Sequence, residues 1–344
     1  MKYAVDADIA SAHTLPGSFY CDAAAFDRSR DRIFGRSWQW LGDLAEVAAP
    51  QTLSPRDLLP GHLDEPLLLS RDAGGTLRCL SNVCTHRGNI LVKAPCAANE
   101  IRCGYHSRRF DLAGRMTFMP EFREAKDFPS PSDNLPNVAF SAWAGHGFAS
   151  LDPAAPFEEF FEGVRASVDG VKVERFAHDA SRDRDYEVHA SWALYVENYL
   201  EGFHIPFVHA GLNEIVDYGA YRTELHRWSN VQLAQGKDGA PAAQYWWVFP
   251  NLMLNFYPWG LSVNLVEPLA IDRTLVRFRS YVGDASKIGE GAGGSLDRVE
   301  TEDEAVVQAV ARGVRSRLYT RGRYSPTRER GVHHFHRLLC EALA

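Results

Sequence analysis

Cys84-Thr85-His86-Arg87-Gly88 and Cys103-Gly104-Tyr105-His106 each offer one thiol and one imidazole, and the sixteen residues 87–102 separate His86 from Cys103. Around them the chain runs in short β-type stretches, Pro66-Leu67-Leu68-Leu69, Leu77-Arg78-Cys79-Leu80 and Ile101-Arg102-Cys103, broken by Gly, Pro, Asn and Asp. That texture predicts a small all-β domain with two ligand-bearing loops.

One Cys interleaved with one His in each loop is the ligand order of a Rieske-type [2Fe–2S] centre, where two thiolates hold one iron and two imidazoles the other. Neutral nitrogens in place of two anionic sulfurs raise the potential, so the cluster accepts an electron and passes it on. A structural Cys₂His₂ zinc site is the alternative, but its ligands usually come as a Cys pair and a His pair. Cys84, His86, Cys103 and His106 are therefore expected to hold the cluster. The remaining cysteines, Cys21, Cys79, Cys96 and Cys340, are expected to be plain buried or half-buried thiols.

The chain has 344 residues, 45% of them hydrophobic, enough for two domains with sizeable cores. Six cysteines are too few for a disulfide scaffold. A formal charge of −7 argues against a nucleic-acid or anionic-membrane surface. Met1-Lys2-Tyr3-Ala4-Val5-Asp6 has no apolar leader core, and no apolar stretch reaches membrane-span length. A cytoplasmic protein without nucleic-acid or membrane partners is expected. The fold class is α+β: a helical segment at 1–38 packing on the catalytic domain, an all-β Rieske domain at 39–153, and a catalytic domain at 154–344 with an antiparallel sheet covered by helices. Asp152-Pro153-Ala154-Ala155-Pro156 reads as the linker, and residues 21–36 as a helix. The glycine-rich stretch 289–294 precedes no Lys-Ser or Lys-Thr and is not a phosphate loop.

A second candidate centre lies in Asn198-Tyr199-Leu200-Glu201-Gly202-Phe203-His204-Ile205-Pro206-Phe207-Val208-His209. Glu201 and His204 would share a helical face, whereas His204 and His209 would diverge by about 140° on a regular helix. Pro206 is expected to break that helix and swing His209 round. Two His need one carboxylate to complete the facial triad of a mononuclear non-haem Fe(II) site with positions open for O₂. Glu302, Asp303 and Glu304 offer it at the start of a helix with an apolar stripe at Val306, Val310 and Val314. Asp303 lies about 20° from Val310, Glu302 about 80° and Glu304 about 120°. Asp303 is the predicted ligand and Glu302 its substitute; helix-dipole placement alone accounts for the other acids.

Together the two motifs resemble the oxygenase (α) subunit of the Rieske non-haem iron aromatic-ring-hydroxylating family over nearly the whole chain. Asn198-Tyr199-Leu200-Glu201 and the tail Gly331-Val332-His333-His334-Phe335-His336 are most similar to its branch of choline, betaine and carnitine monooxygenases. The resemblance implies that Glu201 joins His204 in one subunit to His106 in its neighbour, within a homotrimer, and Asn198 is read as a supporting residue beside it. Where the family commonly has Pro-Tyr-His-Gly-Trp after the second Cys, this chain has Gly104-Tyr105-His106-Ser107-Arg108, and a Gln common in the last-ligand helix is Ala311 here.

The implied activity is that of a terminal oxygenase. It would take electrons originating in NADH or NADPH from a separate reductase, with or without a ferredoxin, and use O₂ to hydroxylate a small organic substrate. Monooxygenation leading to N- or O-demethylation is favoured, and dihydroxylation of an aromatic acid is the alternative. Trp247, Phe249, Tyr257 and Trp259 are candidate substrate walls, since aromatic faces hold either a quaternary ammonium or an aryl ring. Two other classes compete: a Rieske electron carrier without catalysis, and a zinc-stabilised structural protein.

Overall fold

Leu67, Leu68 and Leu69 occupy one strand buried on both faces, and the two faces serve different cores. Leu68 packs with Leu53, Leu80, Ile101, Phe110 and the thiols of Cys84 and Cys103. Leu67 and Leu69 pack with Leu41, Val47, Leu58 and Cys79. Strand alternation alone produces this division. In this computed structural model residues 3–293 and 296–344 are described; Met1, Lys2, Gly294 and Ser295, and with them parts of the N-terminal hexapeptide and of the glycine-rich stretch 289–294, lie outside the described residues.

The strands of the unit Trp38–Pro153 are β1 (Gln39–Asp43), β2 (Thr52–Leu58), β3 (Glu65–Arg71), β4 (Leu77–Ser81), β5 (Cys96–Ala97), β6 (Ile101–Arg102), β7 (Arg109–Phe110), β8 (Met116–Phe118), β9 (Asn137–Trp143) and β10 (His146–Ser150). They form an antiparallel sheet in the order β1-β10-β9-β4-β3-β2-β5 and a small sheet β6-β7-β8. The first motif follows β4, and the second is the connection from β6 to β7.

The other unit joins Met1–Ser37 to Ala154–Ala344. Its first helix, α1 (Ala23–Arg32), is shorter than the predicted 21–36, because Asp22 caps it by accepting from the amides of Ala24 and Ala25 and a 3₁₀ turn, Phe34–Arg36, follows it. Then come α2 (Phe157–Ser167), β11 (Ala177–His178), β12 (Arg184–Val188), α3 (Trp192–Tyr199), α4 (Ile205–Val208) and α5 (Ala210–Ile215). Strands β13 (Arg222–Leu225), β14 (Ser229–Gln235), β15 (Pro241–Val248), β16 (Leu252–Tyr257), β17 (Gly260–Ala270) and β18 (Arg273–Val282) precede α6 (Leu296–Gly313) and α7 (Arg330–Leu343). The antiparallel sheet runs β11-β18-β17-β16-β15-β14-β13, with β12 also paired to β18. Helices cover it, α3 against α6 and β17, and α2 against β14 and β15. The architecture is α+β, with one all-β unit and one unit whose antiparallel sheet is covered by helices.

Two expectations are corrected here. Cys21 and Cys96 are exposed, while Cys79 is buried and Cys340 half-buried. Val310 is 43% exposed, so the inward stripe of α6 runs through Glu300, Val307 and Ala311 rather than Val306 and Val310, with the buried Val314 just beyond its end. Asp303 lies about 40° from Val307 on the helical wheel and still belongs to the inward face. Among the described residues no helix is long and apolar enough to cross a membrane.

Candidate functional site

The two loops of the all-β unit share one backbone plan. In the first, the Cys84 amide donates to the Asn89 carbonyl at 2.9 Å and the Gly88 amide to the Cys84 carbonyl at 2.9 Å. In the second, the Cys103 amide donates to the Arg108 carbonyl at 2.8 Å and the Ser107 amide to the Cys103 carbonyl at 3.1 Å. Each loop closes on a left-handed residue, Gly88 at φ +67° and Ser107 at φ +58°. Glycine adopts that conformation freely, whereas serine does so at some cost.

Both thiols are buried, and the rings of His86 and His106 lie edge to face at 4.8 Å. The Tyr105 amide and the Asn89 side chain donate toward the Cys103 sulfur, at 3.4 and 3.7 Å. His106 Nδ1 is buried with no hydrogen-bond partner, which a bound metal would satisfy. Two thiols and two imidazoles, one with an orphaned nitrogen, fit a [2Fe–2S] cluster. Arg108, fully buried, donates to Thr85 Oγ1 at 2.7 Å and to Asp133 Oδ1 at 2.7 Å, tying both loops to the turn at Pro131–Asp133.

In the second unit α3 has ended at Tyr199 before the ligand candidates begin. Glu201 and His204 therefore do not share a helical face, and Pro206 does not break a helix but lies in the first turn of α4. Close packing imposes the break. A Cβ on Gly202 would lie 2.5 Å from the Tyr221 ring, and one on Gly331, at the start of α7, would collide with the Leu200 carbonyl.

His204, at the N-cap of α4, and His209, between α4 and α5, meet Asp303 of α6, and their ligand atoms all lie within 4.8 Å of one another. His209 Nε2 is 3.1 Å from His204 Nε2 and 3.1 Å from Asp303 Oδ1, which is 3.5 Å from His204 Nε2. The outer nitrogens are held by carboxylates: His204 Nδ1 by Glu201 at 2.6 Å and His209 Nδ1 by Glu302 at 2.8 Å. Each ring then donates from Nδ1 and turns its Nε2 lone pair to the common point, the arrangement of carboxylate-oriented metal-binding histidines. Hydrogen bonding from His209 holds the Glu302 carboxyl below the ordinary carboxylate range. Glu302 is thus the outer partner of His209, a role the sequence did not reveal.

A cavity of about 100 Å³ opens beside the three residues, lined among others by Asn198, Tyr199, Tyr221, Tyr245, Tyr257 and Glu300. It is well below the ~300–1,000 Å³ typical of drug-sized ligands. Of the predicted walls only Tyr257 lines it. Trp247 and Phe249 are core residues, Trp247 bonding the Pro250 carbonyl and packing on Phe249 and Phe335, and the buried Trp259 stacks behind Tyr257. Tyr245, at the start of the aromatic stretch 245–250, lines the cavity, whereas Trp247, two residues on along the same face of β15, does not. Burial pushes the Glu300 carboxyl up to about 8. A wider groove of about 580 Å³, along Gly163, Arg222, Val231, Leu233 and Trp246, brings no comparable ligand set together.

Family models match both units: "Rieske [2Fe-2S] domain" over residues 38–129 and "Ring hydroxylating alpha subunit (catalytic domain)" over residues 219–344. The chain belongs to the Rieske non-haem iron oxygenases. Among its relatives, choline monooxygenase of Arabidopsis thaliana is 28% identical, the match covering 95% of this chain and 82% of that one. The carnitine monooxygenase oxygenase subunit of Escherichia coli K12 is 29% identical over 96% of this chain and 94% of its own. The crystal structure of the quaternary ammonium Rieske monooxygenase CntA superposes with a TM-score of 0.79 at 25% identity, covering 99% of this chain and all of that one. A Rieske oxygenase of this kind carries a [2Fe–2S] cluster and a mononuclear iron, and its electrons come from a reductase through a multicomponent system.

Proposed function

We propose that the chain hydroxylates a methyl group on a small methylated substrate, an N-methylated ammonium before an O-methyl ether. The observation carrying this reading is the convergence of His204 Nε2, His209 Nε2 and Asp303 Oδ1 beside a small cavity lined by tyrosine rings. In this assignment residues 39–153 form the electron-input domain, with Cys84, His86, Cys103 and His106 as cluster ligands. Residues 154–344, with the segment 1–38 packed on them, form the catalytic domain, with His204, His209 and Asp303 holding iron. When bound, the cluster supplies single electrons and the iron the reduction of O₂ coupled to C–H hydroxylation.

The chain's own residues do the rest. Glu201 and Glu302 fix the tautomer and aim of the two rings. Glu201 is also assigned as the bridge to His106 of a neighbouring copy, in a homotrimer. The aromatic side chains of Phe203 and Phe207, the latter 79% exposed, support that surface, as does Tyr105, 60% exposed, beside His106. Asn198 is assigned as support at the cavity wall. An NAD(P)H-dependent reductase, directly or through a ferredoxin, and a cytoplasmic site of action complete the proposal.

Metal and acid-labile sulfide per chain, with EPR of the reduced protein, provide the test. Three irons, two sulfides and a Rieske signal are expected, with formaldehyde released from N-methylated substrates when a surrogate reductase is added. Asp303→Ala should lose turnover and retain the Rieske signal. Zinc without sulfide, or full turnover in that variant, overturns the assignment.

A further inference from the structure

Among the described residues Arg108 is the one lysine or arginine that is buried. It lies two positions after His106, and its carbonyl accepts from the Cys103 amide that closes the second loop. Its side chain crosses to the first loop. There Nη1 donates to Thr85 Oγ1 at 2.7 Å, and Thr85 stands between Cys84 and His86. Nη2 donates to Asp133 Oδ1 at 2.7 Å, and the Phe128 ring packs on the guanidinium with its centroid 5.5 Å from Cζ. Arginine keeps its proton throughout the working range of pH, so this charge is permanent.

The pairing with Asp133 does not cancel that charge at the ligand loops. The Asp133 side chain is 19% exposed and that of Arg108 only 2%, so water screens the negative end of the pair more than the positive one. The other oxygen of Asp133 accepts from the Ser130 amide and hydroxyl. Neighbouring cations are placed differently: Arg87 and Arg102 are exposed, and Arg109 lies 3.7 Å from Glu100. Burial pushes the Cys84 thiol up and the His86 imidazole down, and at both the Arg108 charge disfavours a further proton.

A positive charge that reaches the ligands of an electron carrier acts on the electron as well. Two thiolates and two bridging sulfides balance two ferric ions, so uptake of one electron leaves a net negative charge. A fixed cation in a dry setting favours that reduced form. The tryptophan common at this place in the family would bring ring surface and no charge. We propose that Arg108 sets the reduction potential of the cluster, its buried guanidinium favouring the reduced form while Asp133 trims the effect from the outer side. The donor protein supplies the electron and the catalytic iron receives it, so a stronger pull on the first transfer is matched by a weaker push on the second. The inference rests on Cys84, His86, Cys103 and His106 being the cluster ligands.

An EPR-monitored redox titration of the full, cluster-loaded chain tests it, with Arg108→Gln, Arg108→Lys and Asp133→Asn beside the wild type. Arg108→Gln should lower the reduction equilibrium constant about tenfold, which is about 59 mV for a one-electron couple. Arg108→Lys, which keeps the charge, should recover most of that loss, and Asp133→Asn should shift the potential upward. Water entering a loosened loop favours the more charged, reduced form, so a purely structural role of Arg108 predicts a rise in Arg108→Gln. An unchanged or raised potential in that variant overturns the proposal. So does an unchanged or lowered one in Asp133→Asn, and this comparison is decisive where Arg108→Gln fails to bind a cluster. A wild-type chain without a Rieske signal refutes the cluster assignment instead.

Discussion

In the all-β unit the candidate ligands are placed by main chain. Two loops of the same hydrogen-bonding plan, Cys84 to Asn89 and Cys103 to Arg108, each carry a thiol and an imidazole, and a buried Arg108 ties them together. In the catalytic unit His204, His209 and Asp303 come from α4, the joint before α5, and α6, with Glu201 and Glu302 aiming the two rings. The first centre is a property of local backbone and the second of side chains that meet only once the sheet and helices have packed. A backbone-built site should tolerate changes around it, provided its loops stay closed. A side-chain-built site should respond to any change in the carboxylates that aim it.

The sharpest way to break this contrast is Arg108→Met, which removes the guanidinium from Asp133 and Thr85 and leaves them only the bonds to Ser130 and to each other. Removing one member of a buried pair costs about 3–5 kcal/mol, toward the lower end here because Asp133 retains some exposure. A denaturant midpoint and cluster EPR signal that both survive would mean the backbone closes the loops unaided.

Next in size is an acid effect in the catalytic unit. Burial holds His334 of α7 down at about 4, against an ordinary 6.5. The unfolded chain takes up a proton as pH falls through 6.5 and the folded one only near 4, so this contribution is complete above 6.5 and lost progressively down to about 4. The loss amounts to at most about 3 kcal/mol. Melting temperature against pH should therefore be steeper for the wild type than for His334→Phe; parallel curves would remove His334 as the cause.

Glu302→Gln should weaken iron binding about 10–100-fold while the Rieske signal stays unchanged. Unaltered affinity would show that packing, not the carboxylate, aims His209. Smallest is Ser107→Gly, which relieves a left-handed serine and should stabilise the all-β unit by about 1 kcal/mol. A loss of stability instead would show that the contact of Ser107 with Arg102 matters more than its backbone conformation.

This contrast also explains what could be read in advance. Cys84, His86, Cys103 and His106 stand out because a local site writes its ligands at fixed short spacing. His204 and His209 were visible as a pair, but the turn holding them was not, since it depends on Tyr221 against Gly202 and on the Leu200 carbonyl against Gly331, contacts distant in sequence. Asp303 could be ranked among three acids by helical angle even though the stripe used to rank it was offset by one residue. Glu302 looked like a substitute ligand because nothing in a helical wheel tells an inner from an outer partner of one histidine. The substrate wall was misplaced onto Trp247, Phe249 and Trp259 because large aromatic side chains signal burial whether they face a ligand or a core. Tyr257 and Tyr245 mark the cavity instead.

The contact between Gly331 and the Leu200 carbonyl has a mechanical meaning as well. With no room for even a methyl group, α7 acts as a backstop against which the turn carrying Glu201 and His204 is seated. Any load on the helix Arg330–Leu343, from a fused tag, a truncation or a docking protein, is then transmitted to the aim of the first histidine without passing through the sheet.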